Sequence, residues 1–352
     1  FGSKLPYPVS GHGTFDGHIA GTIENPAFVG VLDAAKLQLN GQDIETVHGE
    51  VVFGDDVLRV ENTHFKQNGG SYAMKGTANL ETQALDGVLQ VENGDVRALF
   101  AIANLKNDIL EGRLDGAIRL AGTLENPLAE LDAVVREGKA SGYEIRDLVL
   151  DVKLADHVVT IRELHGRQGE GVFAAQGRIP LNDAAMDAQF AANGVAAGMV
   201  AKAAGATADV RGTLDLAVQF GGTVKNPRAN ASVEVKNGGV GASTFDDMTG
   251  LLNLKNGVIH IDQLLVKKKL GDRIYSANAK GKIPVKSLTA ASDEWLDAPE
   301  QIDLTLSLDS ADLSLLPILS PAVDWAVGPT KGKVRVTRAV SIRFSSLTWA
   351  AA

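Results

Sequence analysis

Seven histidines and adjacent acids such as Asp55-Asp56 and Asp246-Asp247 are the side chains best placed, by type, to do chemistry in this sequence. A histidine can act as general base or metal ligand, and paired carboxylates can share a proton or a cation. The histidines, His12, His18, His48, His64, His157, His165 and His260, form no HExxH or close HxH pair. His12 and His18 lie six residues apart, and a zinc site needs three or four convergent ligands. The acids Asp55-Asp56 and Asp246-Asp247 are neighbours. Neighbours on a strand point to opposite faces, so such a pair does not easily meet at one atom. Both pairs are expected in turns, where Asp serves the backbone. There is no G-x-S-x-G elbow, no P-loop and no strand–GxGxxG–helix unit. Cysteine is absent, which removes thiol nucleophiles, disulfides and cysteine zinc sites. The net charge of −9 lacks the basic face that nucleic acid requires. The short run Lys267–Lys269 is read as a solvated strand edge or loop. The sequence is therefore expected to be no enzyme, with no cofactor, no metal and no nucleic-acid partner.

What the sequence does carry is recurrence. "GTIENP" at Gly21–Pro26 returns as "GTLENP" at Gly122–Pro127 and "GTVKNP" at Gly222–Pro227, after steps of 101 and 100 residues. The proline fixes φ, donates no amide and pushes the preceding Asn toward extended geometry. Asn25, Asn126 and Asn226 are expected to bond their own backbone as Asx turns. After each turn, residues alternate apolar and polar, as in a strand with one apolar face. Three polar pairs, Asp55-Asp56, Asp156-His157 and Asn256-Gly257, are read as hairpin turns. Gly76, Gly177 and Gly281 fall inside strands and are expected to mark bulges or bends. Short helix-like patches follow at Val96, Ala196 and Leu313.

These correspondences divide the chain into a lead-in over 1–12 and β repeats over 13–112, 113–208 and 209–328. The third repeat carries an inserted loop near 287–300. Residues 329–352 are read as the start of a truncated fourth repeat or an appended tail. Each repeat holds six or seven strands and one short helix.

No apolar run reaches the ~18 residues of a membrane span, and no apolar signal region opens the chain. About twenty strands at ~4.8 Å spacing make a sheet roughly 95 Å long, whose apolar face must be covered. It can close on itself as a barrel or solenoid, pack on a second sheet, or fold lengthwise into a trough. Aromatics are only 5% of the residues. A lining of mainly Ala, Val, Leu and Ile favours the trough, since larger side chains fill the ~10 Å between packed sheets.

The "GTxxNP" element after a Gly-rich alternating strand resembles the repeats of the TamB family, the translocation and assembly module proteins within the AsmA-like group. "GAIRLAGTLENP" (Gly116–Pro127), "LDLAVQFGGTVKNP" (Leu214–Pro227) and "LNLKNGVIHI" (Leu252–Ile261) carry the likeness, which covers the three repeats. It implies a mainly β fold, an elongated twisted antiparallel sheet folded into a U-shaped hydrophobic groove. It implies a protein of the periplasm, anchored in the inner membrane and reaching the outer one, and an Omp85-type partner bound through parts of a longer chain. It implies phospholipid acyl chains moving along the groove. The lining would be Phe28, Leu32, Leu58, Val60, Leu120, Leu131, Val135, Val159, Ile161, Val218, Phe220, Val233, Val235, Ile259 and Ile261. Two other functions stay open: a scaffold that assists outer-membrane protein assembly by strand pairing, and a structural β stalk with a self-buried core.

Overall fold

The computed structural model describes residues 8–285, apart from Glu24, Asn104, Asp108, Leu124 and Thr207, together with 302–312, 328–337 and 342–349. The chain is mainly β, with antiparallel strands and two short helices among the described residues. It divides into two units, 1–167 and 168–352. The division falls inside the second of the repeats read from the sequence.

The first unit holds β1 (Val9–Gly21), β2 (Pro26–Leu39), β3 (Gln42–Ile44), β4 (Thr46–Gly54), β5 (Val57–Gln67), β6 (Gly70–Asn79) and β7 (Ala84–Asp95). Helix α1 (Val96–Ile102) follows, then β8 (Leu110–Thr123), β9 (Pro127–Ala140), β10 (Tyr143–Ala155) and β11 (Val158–Gln168). Consecutive strands pair antiparallel from β4 to β11, and β2 pairs with β1 on one side and with both β3 and β4 on the other. The second unit holds β12 (Gly171–Pro180), β13 (Asp187–Ala196), α2 (Ala197–Ala203), β14 (Val210–Gly222), β15 (Pro227–Val240) and β16 (Ser243–Lys255). It continues through β17 (Val258–Leu270), β18 (Arg273–Pro284), β19 (Asp303–Asp312), β20 (Pro329–Thr337) and β21 (Ile342–Trp349), again a plain meander.

The recurring turn is built differently from its expectation. Thr22 Oγ1 accepts from Asn25 N at 3.1 Å, Thr123 Oγ1 from Asn126 N at 3.2 Å and Thr223 Oγ1 from Asn226 N at 3.1 Å. The threonine, not the asparagine, supplies the side-chain bond that closes the turn. Two of the asparagine side chains reach onward to the next hairpin at the same end of the sheet: Asn25 Nδ2 donates to Asp55 Oδ1 at 3.5 Å, and Asn226 Nδ2 to Asn256 Oδ1 at 3.4 Å. The three hairpin pairs have φ of 48° and 57° (Asp55-Asp56), 50° and 59° (Asp156-His157) and 52° and 72° (Asn256-Gly257). Positive φ at both positions is the tight turn whose twist suits a hairpin.

Three other expectations change. Asp246-Asp247 stand inside β16, not in a turn, because the chain reverses earlier at Gly241-Ala242. Lys267–Lys269 lie on β17, which is paired on both sides and so is not an edge. At Gly76 and Gly281 the bulge sits on the strand opposite, between Val60 and Thr63 and between Ile261 and Leu264. The glycines themselves answer to close backbone approach. A Cβ at Gly76 would lie 2.6 Å from Asp86 O, and one at Gly177 would lie 2.3 Å from Ala188 Cα.

Each helix patch read before residue 300 is one: α1 and α2 are seven residues each. Asp95 caps α1, its Oδ1 accepting from Arg97 N at 2.9 Å and Ala98 N at 3.2 Å, the usual remedy for unsatisfied first-turn amides. In the second unit the equivalent position is Ala196, and no side chain caps α2; Gln168 Oε1 accepts from the N–H of Ala196 itself at 2.8 Å, just before the helix. The inserted loop near 287–300 and the third patch from Leu313 lie outside the described residues.

Candidate functional site

Register places the alternating apolar residues of the first unit on one face. Val51, Val60, Gly76, Gly87, Leu120, Ala129, Leu154 and Val159 stand opposite one another in turn from β4 to β11. Beside them runs a second row of Met74, Leu89, Ile118, Leu131, Val152 and Ile161. Leu58 is opposite Phe53, which is opposite Phe28. Phe28 packs between Phe15 and Phe53, with ring centroids 5.7 and 5.3 Å away. Leu32 is opposite Phe15 and Val135 is opposite Leu114 and Leu148. In the second unit, Ala188, Phe220, Ala229, Leu254, Ile259 and Ile283 form one row, and Phe190, Val218, Ala231, Leu252 and Ile261 the next. Val233 and Val235 continue that face opposite Leu216 and Leu214. All fifteen positions singled out in the sequence therefore lie on the apolar face of their own unit.

That face is packed at one end of the strands and open at the other. In the first unit Val135 is 0% exposed, while Leu120, at the end that carries the Asn-Pro turns, is 47% exposed. In the second unit Val235 is buried and Phe220 exposed. The helices close the packed end. Helix α1 lies against β7 and β8 and reaches β3, where Asn40 Nδ2 donates to Ala101 O at 2.9 Å. Val96 and Ala98 of this helix are buried. Val135, Val235 and Ile261 are core residues; the other twelve keep accessible surface. Which positions are packed is a tertiary matter that period-two alternation does not reveal.

The opposite face is polar. Arg136 Nε meets Asp115 Oδ2 at 3.1 Å, Lys153 Nζ meets Glu130 Oε1 at 3.0 Å, and Arg162 Nε donates to Asp151 Oδ1 at 2.7 Å. The Asn93 N–H, and after it the Arg136 guanidinium, hold the Asp115 carboxyl below its ordinary range. The Lys153 ammonium does the same for Glu130. Such exposed pairs contribute little each, but they keep this face in water. The face also brings together three histidines that the sequence leaves scattered: a depression of about 980 Å³ is bordered by His12, His48 and His64, with Asp33 2.7 Å from His48 Nδ1. Among the described residues, no group of three or more His, Asp or Glu side chains is placed to hold a metal ion.

On the apolar face, a hollow of about 170 Å³ opens around Gly76 and Gly87, between Leu58, Val60, Met74, Leu89, Ile118 and Leu120. Gly87, Met74, Leu89 and Ile118 were not singled out in the sequence, although they share the same alternation; the facing of two glycines follows only from register.

Among the described residues, two polar side chains are buried, Thr63 and Gln67. Gln67 is fully buried, and neither its Oε1 nor its Nε2 has a hydrogen-bond partner among the described residues. A buried amide without partners costs stability. Gln67→Met keeps the shape and is expected to stabilise the chain by about 1 kcal/mol, measured as a raised midpoint in urea unfolding; a lowered midpoint would show that the amide is satisfied.

Comparison with protein-family models, with curated proteins and with solved structures finds no match. Among the described residues, no helix is long and apolar enough to cross a membrane.

Proposed function

We propose that the chain is a segment of a lipid conduit, in which phospholipid acyl chains travel along the apolar face while headgroups stay in water. The observation that carries the reading is a continuous apolar face in each unit, shut at the helix end and accessible at the turn end. Hydrocarbon gains about 0.8 kcal/mol for each CH₂ removed from water, and a row of Leu, Val, Ile and Phe gives that without fixing the chain in place. In this reading the sheet folds lengthwise into a U-shaped groove, as the TamB resemblance implies. It works in the periplasm between inner and outer membrane, with an Omp85-type partner engaged through other parts of a longer protein.

Val159→Arg and Ile259→Arg test this directly, because both positions are partly accessible and an arginine there can reach water. Photocrosslinkers at Leu120 and Phe220 should capture phospholipid in cells, and either arginine variant should cut the captured lipid severalfold while thermal unfolding stays near wild type. Undiminished lipid capture, or unfolding of the variants, would sink the reading.

A scaffold role in outer-membrane protein assembly has one observation in its favour. β1 is exposed along its whole length and, among the described strands, pairs only with β2. Such an edge can accept another strand. Crosslinkers at Thr14 and His18 that capture client protein, with none of the apolar positions capturing lipid, would decide for the scaffold.

A further inference from the structure

The hollow at Gly76 and Gly87 is more than a stretch of smooth lining, and the geometry points to it as a seat for the acyl chain of a lipid whose headgroup carries a cationic amine. This rests on the conduit reading and adds to it a resting place and a headgroup class.

The hollow exists because two glycines face each other across β6 and β7. A Cβ at Gly76 would stand 2.6 Å from Asp86 O, so that position has no room for a side chain. Eight apolar side chains, the six named above with Ala78 and Leu85, border this open hollow of about 170 Å³. An alkyl chain lying in it gains about 0.8 kcal/mol for each CH₂ removed from water. Lys75, Thr77, Asp86 and Val88 also border the hollow, but their register sets them on the other face. The strands β5, β6 and β7 are each paired on both sides, so the floor offers no backbone hydrogen bonds. A peptide laid there would leave its own amides unpaired; an alkyl chain has none to satisfy.

The headgroup class comes from the turns at the open end. Asp55, Asp56, Glu81, Glu125 and Asp156 all occupy exposed positions in the hairpins that join β4 to β11 at this end. None of those hairpins contains Lys or Arg. Arg59, Lys75, Arg119 and Lys153, on strands that lead to this end, stand on the opposite face by register. Leu58, in the wall of the hollow, is two residues from Asp56, a reach of about 7 Å along the strand. A lipid seated in the hollow thus meets clustered carboxylates where its headgroup emerges. That field attracts an ammonium and repels an anionic headgroup. The equivalent turns of the second unit lack this bias: Asp183 pairs with Lys225 at 2.9 Å, and Lys255 adds a further cation.

The test uses the intact chain and two probes of equal chain length, lysophosphatidylethanolamine and lysophosphatidylglycerol, titrated below micelle formation. At about 10 mM salt, where screening is weak, the ethanolamine lipid should bind roughly threefold to tenfold tighter, and the preference should shrink at high salt. The variant Asp55→Asn/Asp56→Asn/Glu81→Gln/Glu125→Gln should bind both lipids alike. Leu120→Trp, placed at an exposed wall of the hollow, should weaken both lipids about tenfold by occupying the space of one or two CH₂ groups, leaving the ratio unchanged. Equal wild-type affinities, or a preference that survives neutralisation, would overturn the headgroup assignment. Undiminished binding in Leu120→Trp and equally in Gly87→Ala would overturn the seat. Failure of both lipids to bind wild type would overturn the conduit reading itself.

Discussion

Val135→Arg is expected to unfold the first unit, while Leu120→Arg on the same face leaves it folded. Val135 has no exposed surface and stands opposite Leu114 and Leu148, which are buried as well. Its Cγ1 comes within 3.0 Å of where a Cβ would stand at Gly112 and at Gly138, so the site has no slack for a longer side chain. An arginine there would bury a charge with five donors and no acceptor, at a cost of about 4 kcal/mol or more. That is a large part of the 5–15 kcal/mol typical of a folded domain. Leu120 is nearly half exposed; an arginine can lie along the apolar surface and keep its guanidinium in water, for less than about 1 kcal/mol. Urea unfolding followed by circular dichroism reads both. A wild-type midpoint for Val135→Arg, or equal losses in the two variants, would mean that the face is not packed at one end and open at the other.

Gly281→Ala should cost the second unit roughly 3 kcal/mol, from backbone strain together with overpacking. Gly281 has φ near 141°, and a Cβ would fall 2.0 Å from Asp303 O and 2.9 Å from Leu304 Cα. The neighbouring strand cannot retreat without opening its pairing at Leu304, which is buried. Gly257→Ala is the comparison: its φ of 72° is also positive, but no atom lies within 4 Å of the new methyl. Only the left-handed backbone penalises that change, by about 1 kcal/mol. The gap between the two variants isolates the close approach. If they are destabilised equally, the approach of β18 and β19 is looser than the structure has it.

Period-two alternation made the strands and the common face readable, because a residue's side of a sheet depends only on parity. The hairpins at Asp55, Asp156 and Asn256 were readable for a similar reason: a tight turn is decided by a few adjacent residues. What depended on a second segment was not readable. Asn25 turned out to serve the hairpin at Asp55, thirty residues away, and Thr22 took the local bond in its place. Asp246-Asp247 looked like a turn, yet Asp247 is opposite Lys267 and within 3.8 Å of its ammonium. Gly76 and Gly281 were recognised as exceptional, but their reason lay on the adjoining strands. The burial of Val135 depends on Leu114 and Leu148 of the two flanking strands. The fifteen lining positions were legible as one face; which of them a ligand could reach was not.

The pairing of most strands with their neighbours in sequence inside each unit has a kinetic consequence. Most of the long-strand contacts close loops no longer than a hairpin turn, so little chain entropy is lost before each pair forms. Folding in either unit can begin at any hairpin and extend by adding one strand at a time, as in a linear array with nearest-neighbour coupling. For a β protein that implies unusually low contact order, early structure during synthesis, and tolerance to the insertion or removal of whole hairpins.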